Sequence, residues 1–180
     1  MYDDYPIVDK NDNVFYIWVG SKERLHESKD RHRAIHIFVE TFKGGLVLQK
    51  KAPASENGGL WSSALSGHVH DETYLEAAIR EMTEELGLKV DEGELHELFK
   101  CRACKETANE IVTVFSYLMD PENELIRPDA DEISEILITP RLWVEKDVQE
   151  FPEKYSPAFR YLFTFFNGGR ESDVRKLLFE

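Results

Sequence analysis

The chain has 180 residues, enough for one well-cored domain and too few for two. Its formal net charge of −13 argues against broad, non-specific nucleic-acid binding, because such binding needs a basic surface. No apolar run approaches the roughly 18 residues of a membrane span, and the acidic N-terminus lacks the basic and apolar parts of a signal peptide. These features predict a single cytoplasmic domain over residues 1–180, with neither nucleic acid nor a membrane as its partner.

The first third of the chain carries the patterns of β-strands. Residues 13–20, NVFYIWVG, predict a strand, and residues 21–28 predict a turn or a short helix. Residues 33–42 and 46–51 are apolar segments on either side of a Gly-Gly pair, so they predict a β-hairpin. Residues 51–61 are rich in Pro, Ser and Gly and predict a loop.

A helix is marked most clearly within residues 67–88, GHVHDETYLEAAIREMTEELGL. Thr73 and Glu76 have the spacing of a capping box, and Gly87 fits the left-handed position that ends a helix. At about 100° per residue, the apolar residues fall on one arc that is expected to pack on a sheet. These residues are Leu75, Ala78, Ile79, Met82 and Leu86.

The second half of the chain predicts further strands followed by helices. Together with the first half, it predicts an α/β fold with a mixed sheet and one central helix. Residues 1–30 would form an N-terminal strand and extension, and residues 140–180 the C-terminal helices. Strands are predicted at 94–106, 110–119 and 132–140, and helices at 142–151, 156–166 and 171–179.

The only two cysteines, Cys101 and Cys104, form a single CxxC pair. A structural zinc site needs four ligands, so one pair is a weak signal for zinc. Side chains three apart on a strand point to opposite faces. Because the pair lies in a predicted strand, we expect two packing thiols rather than a metal chelate or a redox disulfide.

Three glutamates, Glu81, Glu84 and Glu85, crowd the second half of the predicted helix and point outward, nearly opposite its apolar arc. Like charges at this spacing repel one another, and they lie near the negative end of the helix dipole. A cation would offset that cost, and carboxylate oxygens suit Mg²⁺ or Mn²⁺. Arg80 lies beside them and can hold a carboxylate by a charge-assisted bond. On these residues alone, a solvated acidic face is the more common explanation.

The residues that flank the three glutamates favour a metal site over a solvated acidic face. Residues 80–88, REMTEELGL, match the core of the Nudix box, and Gly67 and Glu72 lie where its upstream part belongs. The sequence therefore resembles the Nudix hydrolases over residues 33–139. The resemblance implies a Nudix-type α/β/α sandwich with a mixed sheet and a central loop–helix–loop motif. It also implies Mg²⁺-dependent (or Mn²⁺-dependent) cleavage of a diphosphate bond in a nucleoside diphosphate-linked or related organic diphosphate.

The resemblance assigns Glu81, Glu84, Glu85 and the backbone of Gly67 to the metal. One departure concerns the glycine: four residues separate Gly67 from the next glutamate of the box, whereas the family has five. Either the loop is one residue short or Ser66 occupies the glycine position.

The segments 31–53 and 60–72 resemble more closely the Nudix branch that contains isopentenyl diphosphate isomerase. That branch binds a metal through histidines and glutamates and moves protons with a cysteine and a glutamate. His68 matches its Gly-His histidine, and Glu110 matches its acid–base glutamate. His32 and His26 are candidates for two further histidines, whereas His36 and His96 are expected to be packing or surface residues.

The isomerase chemistry is expected to be lost in this chain. Ser66 stands where the branch has its cysteine, and Ala108 replaces a metal-binding glutamate. A serine hydroxyl without an activating partner is a poor substitute for a thiol in proton transfer. A hydrolase with an isomerase-like framework is therefore favoured over two alternatives: an isopentenyl diphosphate isomerase and a non-catalytic ligand-binding module.

The remaining roles follow from the same resemblance. Glu84, Glu85 or Glu110 would accept the proton of the attacking water, and Arg80 would belong to the catalytic set. The substrate diphosphate would be held by basic or neutral side chains at the end of the second hairpin strand and in the Gly-His motif. These side chains are Lys50, Lys51 and His68. The sequence leaves open a homodimer.

Overall fold

The computed structural model describes residues 3–168, which contain nine strands and four α-helices. No helix in this range is long and apolar enough to cross a membrane. In chain order the strands are β1 (Asp3–Val8), β2 (Val14–Gly20), β3 (His32–Thr41), β4 (Gly45–Lys51), β5 (Trp61–Ser63), β6 (Leu65–His68), β7 (Leu95–Cys101), β8 (Glu110–Met119) and β9 (Ile133–Pro140). The helices are α1 (Lys22–Ser28), α2 (Tyr74–Leu86), α3 (Arg141–Glu150) and α4 (Pro157–Phe166).

Most elements agree with the sequence patterns. The predicted hairpin is β3–β4, and the strand predicted at 13–20 is β2. The central helix is α2, and the predicted helices at 142–151 and 156–166 are α3 and α4, each displaced by about one residue. The helix predicted at 171–179 lies outside the described residues.

The sheet is mixed and splits at its centre. Strand β3 pairs with β4 only at Val39–Val47 and Glu40–Leu46. Beyond these pairs the two strands separate, because β6 pairs with β3 and β5 pairs with β4. Strand β8 runs parallel to β3 along its whole length. The split leaves an opening between β3 and β4, and the candidate site lies at this opening.

Helices cover both faces of the sheet, which confirms the α/β/α sandwich. On one face, α2 buries Ala78, Met82 and Leu86 against apolar residues of β3, β6 and β8. On the other face, α3 and α4 bury Val144, Phe159, Leu162 and Phe163 against Phe38 and its neighbours. Complete burial of a Leu or Phe side chain contributes roughly 1.5–3 kcal/mol, so the apolar contacts of α2 fix it relative to the strands.

Four local features differ from the sequence-based prediction. The acidic, proline-containing segment at Asp3–Val8 forms β1, which pairs with β2 from its first residue to its last. The short strands β5 and β6 were not predicted, because three or four residues give no clear periodicity. The strand predicted at 94–106 ends at Cys101, so Cys104 lies in the following loop, where its backbone N–H bonds Thr107.

Candidate active site

Helix α2 begins and ends as its sequence predicts. The Thr73 hydroxyl accepts from the Glu76 N–H, and the Glu76 carboxylate accepts from the Thr73 N–H at 2.8 Å. Gly87 ends the helix with a φ of 67°, in the left-handed region that glycine adopts without strain. These two ends, together with the apolar contacts, place the glutamates beside β6 at the opening of the sheet.

Arg80 connects the acidic side chains to one another. Its Nη1 donates to Glu81 at 2.7 Å and to Glu84 at 3.0 Å. Its Nη2 donates to Glu72 at 2.6 Å and to the backbone carbonyl of His68 at 3.0 Å. The expected contact between Arg80 and a carboxylate is therefore present. These bonds let Arg80 position the carboxylates around it.

The three glutamates differ in exposure, which corrects the expectation that all of them point outward. Glu84 has 59% of its side chain exposed, whereas Glu81 and Glu85 are each only 8% exposed. Burial raises the pKa of Glu81, although the adjacent Arg80 opposes the shift. Burial also raises the pKa of Glu85, to about 7, with Lys51 opposing and Glu81 adding to the effect. Burial thus destabilises the ionised form of both carboxylates, and a nearby positive charge would stabilise it.

Gly67 lies directly against one of the buried carboxylates. It pairs with Ile35 of β3 and faces α2. A Cβ atom at this position would lie 2.4 Å from the carboxyl carbon of Glu81. A larger residue here would displace the Glu81 carboxylate, so Gly67 is the glycine next to this carboxylate even though it lies one residue late in the motif.

A second cluster forms on the other side of the Gly67–His68 segment. The side chains of His26, His32 and His68 converge on Glu110, and their ligand atoms all lie within 4.8 Å of one another. The Glu110 Oε1 atom is 3.2 Å from Nε2 of His68, 3.4 Å from Nε2 of His32 and 3.8 Å from Nε2 of His26. Strand pairing explains the convergence, because His32 lies opposite Glu110 in the β3–β8 register.

The charges within the histidine cluster are strongly coupled. Burial alone would raise the pKa of Glu110, but the adjacent rings of His32 and His68 outweigh it and hold the pKa well below its ordinary value. Burial lowers the pKa of His68 to about 4, although Glu110 opposes this shift. A carboxylate that stays ionised beside a neutral imidazole is the arrangement that a metal ion requires of its ligands.

Among the described residues, the ligand atoms of the histidine cluster lie within 4.8 Å of one another, whereas Glu81, Glu84 and Glu85 offer oxygen donors that do not converge as closely. The buried Oε2 of Glu85 has no hydrogen-bond partner among the described residues. Buried polar atoms without a partner are rare, and a bound ion is one explanation for them. The carboxylate oxygens of α2 suit Mg²⁺ or Mn²⁺, whereas the three imidazoles with one carboxylate suit a transition metal.

A groove and a cavity meet at the Gly67–His68 segment. The groove encloses about 850 Å³ and is lined by acidic residues of α2, with Arg80 and Glu72. The cavity encloses about 230 Å³ and lies next to Glu110 and His68. Lys22, Ser66, Gly67 and His68 line both. The polar walls of the cavity also include His36, Lys51, Ser62 and Ser156.

The two predicted lysines point in opposite directions, as neighbours on a strand must. Lys51 is buried and lines the cavity. Lys50 lies over the ring of Trp61 and 3.7 Å from Glu135, on the other face of β4. The structure therefore brings Lys51 to the site and leaves Lys50 away from it.

Sequence reasoning missed two contributors to the cavity. Lys22 is the first residue of α1, four positions before His26, so helical spacing places both on one face. His36, expected to be a packing residue, is buried with its Nδ1 2.8 Å from Ser63 Oγ and also lines the cavity. Burial lowers the pKa of His36 to about 4, so this ring is neutral. His70 lies outside the histidine cluster, 3.2 Å from the carbonyl of Asp4.

Known proteins with similar sequences match along most of the chain. A model of the NUDIX domain family matches residues 30–162. A prenyl-diphosphate phosphatase from Methanosarcina mazei is 30% identical over 164 residues, 85% of this chain and 88% of the relative. An isopentenyl-diphosphate isomerase from Aromatoleum aromaticum is 32% identical over 161 residues, 87% of this chain and 88% of the relative. The resemblance to the isomerase branch is therefore confirmed.

Solved structures show the same fold. A crystal structure of a Deinococcus radiodurans protein superposes with a TM-score of 0.70, at 18% identity, over 83% of this chain and 90% of the other. A MutT protein from Methanosarcina mazei superposes with a TM-score of 0.60, at 20% identity, over 76% of this chain and 93% of the other. At such identities the superpositions establish the fold, and the fold predicted from the sequence is confirmed.

Proposed function

Because the chain belongs to the NUDIX domain family, whose enzymes are pyrophosphohydrolases, we propose that it hydrolyses the diphosphate of a small organic diphosphate with the help of Mg²⁺ or Mn²⁺. The observation that carries the proposal is the pair of buried carboxylates on α2. Both are buried, Glu81 lies directly against Gly67, and the Oε2 atom of Glu85 has no partner among the described residues. Such a pair is costly to bury without a cation.

The residues of the groove have distinct tasks in this reaction. Glu81, Glu84 and Glu85 are the proposed ligands of the ion, together with the Gly67 carbonyl. When bound, the ion neutralises phosphate charge and lowers the pKa of a water molecule. Arg80 holds two of these glutamates in place through the bonds described above. The proton of the attacking water goes to one of the carboxylates around the groove: Glu84, Glu85 or Glu110.

Lysine side chains supply the positive charge for the phosphates. Lys22 lines both the groove and the cavity, and Lys51 lines the cavity. In a protein with a net charge of −13, such local cations are needed to attract an anionic substrate. His68 also lies at the junction, so a diphosphate spanning the junction would contact all three residues. Lys50 is not part of this proposal, because it lies on the other face of β4.

The relatives suggest the class of organic group. One is named as a prenyl-diphosphate phosphatase and another as an isopentenyl-diphosphate isomerase, so both names refer to isoprenoid diphosphates. The cavity of about 230 Å³ is smaller than the roughly 300–1,000 Å³ of typical ligand pockets. We therefore propose a short prenyl diphosphate as the first substrate to test.

Isomerisation of the same substrate is a second candidate, favoured by the intact convergence of three histidines on Glu110. Two positions argue against it. Ser66 lines the cavity in place of the cysteine, and Ala108 lines it in place of a glutamate. A serine hydroxyl is a poor proton-transfer group in place of a thiol, and an alanine methyl group cannot bind a metal in place of a carboxylate.

A product screen tests the proposal. Purified protein is incubated with prenyl diphosphates of increasing length, nucleoside diphosphates, dinucleotides and nucleotide sugars, with Mg²⁺ and with Mn²⁺. We expect phosphate release to be fastest with a short prenyl diphosphate and to need the cation. Conversion of isopentenyl diphosphate to its isomer without phosphate release would favour the second candidate. Phosphate release from nucleotide substrates alone would support the proposed hydrolysis but contradict the proposed prenyl substrate.

A further inference from the structure

An exposed glutamate approaches the histidine cluster from the loop between β4 and β5. The Oε2 atom of Glu56 is 3.4 Å from Nε2 of His26, and Glu56 also lines the cavity. The same nitrogen of His26 is 3.0 Å from Nε2 of His68 and 3.8 Å from Oε1 of Glu110. This nitrogen therefore lies between the centre of the cluster and the carboxylate of Glu56.

The distance between Glu56 and His26 is that of two ligands of one cation. Ligand atoms held about 2.0–2.1 Å from one ion lie roughly 2.9–3.4 Å apart in octahedral or tetrahedral sites. Glu56 is not one of the four groups whose ligand atoms all lie within 4.8 Å of one another, so its carboxylate must move inward to share their ion. Its side chain is 47% exposed and can rotate without displacing packed neighbours.

The charge of the cluster favours this approach. Histidines bind a metal in the neutral form, so the three rings and Glu110 together carry one negative charge. A divalent cation carries two positive charges, and an unbalanced charge is costly in a cluster of which three members are buried. Glu56 brings a second negative charge, which balances that of the cation.

The loop fixes the backbone of Glu56 through its own hydrogen bonds. The Gly58 N–H donates to the Ser55 carbonyl at 3.0 Å, and the Gly59 N–H donates to the Lys51 carbonyl at 3.0 Å. Both bonds close turns that contain Glu56. A Cβ atom at Gly58 would lie 2.5 Å from a carbonyl oxygen of the same loop, so the close packing of the loop depends on this glycine. Only the side chain of Glu56 therefore has to be ordered when a cation binds.

We propose that Glu56 is a further ligand of a divalent transition-metal ion held by the histidine cluster. Three imidazoles suit such an ion, and the carboxylates of Glu110 and Glu56 balance its charge. Glu56 thus closes the cluster from the loop that borders the cavity. The proposal concerns cation binding alone, so it does not depend on the hydrolysis proposed above.

Titration with Co²⁺ tests the proposal without any substrate. Metal-free wild type and Glu56→Gln are titrated in competition with a chelator, and the visible bands of the bound ion are followed. Groups that only support a ligand already change metal affinity by about 10–100-fold, so Glu56→Gln should weaken binding by at least about tenfold. The matched control is Glu106→Gln, which removes the same charge from another exposed glutamate of the cavity and should keep the wild-type affinity. Wild-type affinity in Glu56→Gln, or an equal loss in Glu106→Gln, overturns the proposal.

A double-mutant cycle distinguishes a ligand from a residue that only orients His26. The effect of Glu56→Gln is measured again in His26→Asn, in which two histidines and Glu110 remain, a set that still suits a divalent transition metal. If Glu56 binds the ion itself, Glu56→Gln should weaken Co²⁺ binding by a similar factor in both backgrounds. A loss that is present in the wild type and absent in His26→Asn would make Glu56 only a partner of His26 and would overturn the proposal.

Discussion

The two clusters on either side of Gly67–His68 are built in contrasting ways. The carboxylate cluster comes from one continuous helix, whose capping residues and apolar arc fix its geometry. The histidine cluster is assembled from α1, β3, β6 and β8, and its members are up to 84 positions apart in the chain. A site on one helix can be predicted residue by residue from spacing, whereas a site assembled from several elements depends on strand register.

The clusters also differ in chemistry. The helix offers oxygen ligands, two of them buried and with a raised pKa. The other cluster offers three nitrogens around an ionised Glu110. They meet at His68, whose side chain belongs to the histidine cluster and whose carbonyl is held by Arg80. Each cluster can therefore be tested by its own variant, with the other cluster as the internal reference.

The largest expected effect is on hydrolysis. Glu85→Gln keeps the size of a buried side chain but removes its charge, so phosphate release should fall by at least about a hundredfold. The matched control is Glu97→Gln, which removes a charge at an exposed position of β7 and should leave the rate unchanged. If Glu85→Gln is as active as the control, the helix glutamates do not bind a catalytic metal and form only an acidic surface.

The second prediction separates the metals of the two clusters. Co²⁺ gives visible absorption bands that report nitrogen ligation, and these bands should appear when Co²⁺ binds the histidine cluster. His32→Asn should weaken this binding by on the order of a hundredfold, whereas Glu85→Gln should leave the bands in place. His96→Asn, at an exposed histidine, is the control. Bands lost in Glu85→Gln and kept in His32→Asn would reverse the assignment of the two clusters.

The third prediction concerns stability without metal. The folded pKa of Glu85 is raised to about 7 from 4.5, so the unfolded chain ionises first and this group lowers stability as pH rises from 4.5 to 7. Glu85→Gln removes this loss. At pH 8 the variant should therefore be more stable than the wild type, by on the order of 1 kcal/mol. Urea unfolding from pH 4.5 to 8 measures the difference.

Added Mg²⁺ should reverse that order of stability. A ligand stabilises only the state that binds it, so the wild type should gain and Glu85→Gln should gain little. A variant that is much less stable than the wild type without metal would mean that Glu85 has a structural partner in the fold.

The smallest expected effect is at the position of the missing cysteine. If Ser66 only fills the space of that cysteine, Ser66→Ala should hydrolyse the substrate within about tenfold of the wild-type rate, a difference of about 1.4 kcal/mol or less. Steady-state kinetics on the substrate found in the screen measures this ratio. A loss of several hundredfold would give the hydroxyl a catalytic task.

The sequence predicted the bounds of helix α2 but not the burial of two of its glutamates. Thr73, Glu76 and Gly87 specify the helix through their own short-range bonds, so its bounds could be predicted. The burial of Glu81 and Glu85 depends on how closely β6 approaches α2, and this follows from tertiary packing. A helical arc alone therefore suggested that all three glutamates face water.

The histidine cluster shows more clearly what could not be predicted from the sequence. His32, His68 and Glu110 were assigned from resemblance, because the residues between them carry no pattern that joins them. Their contact depends on the β3–β8 and β3–β6 registers, which pair His32 with Glu110 and Ala34 with His68. Strand register between distant segments is a property of the whole sheet, so single-sequence patterns could not supply it.

Cation dependence of phosphate release tests the central claim most directly. Protein is treated with a chelator, dialysed and assayed in ¹⁸O-labelled water, with increasing Mg²⁺, on the best substrate of the screen. We predict negligible release without cation, recovery on its addition, ¹⁸O in one of the two phosphate products, and little recovery for Glu85→Gln. Full activity after chelation and dialysis, or recovery that is equal in wild type and Glu85→Gln, would contradict a hydrolase built on the carboxylates of α2.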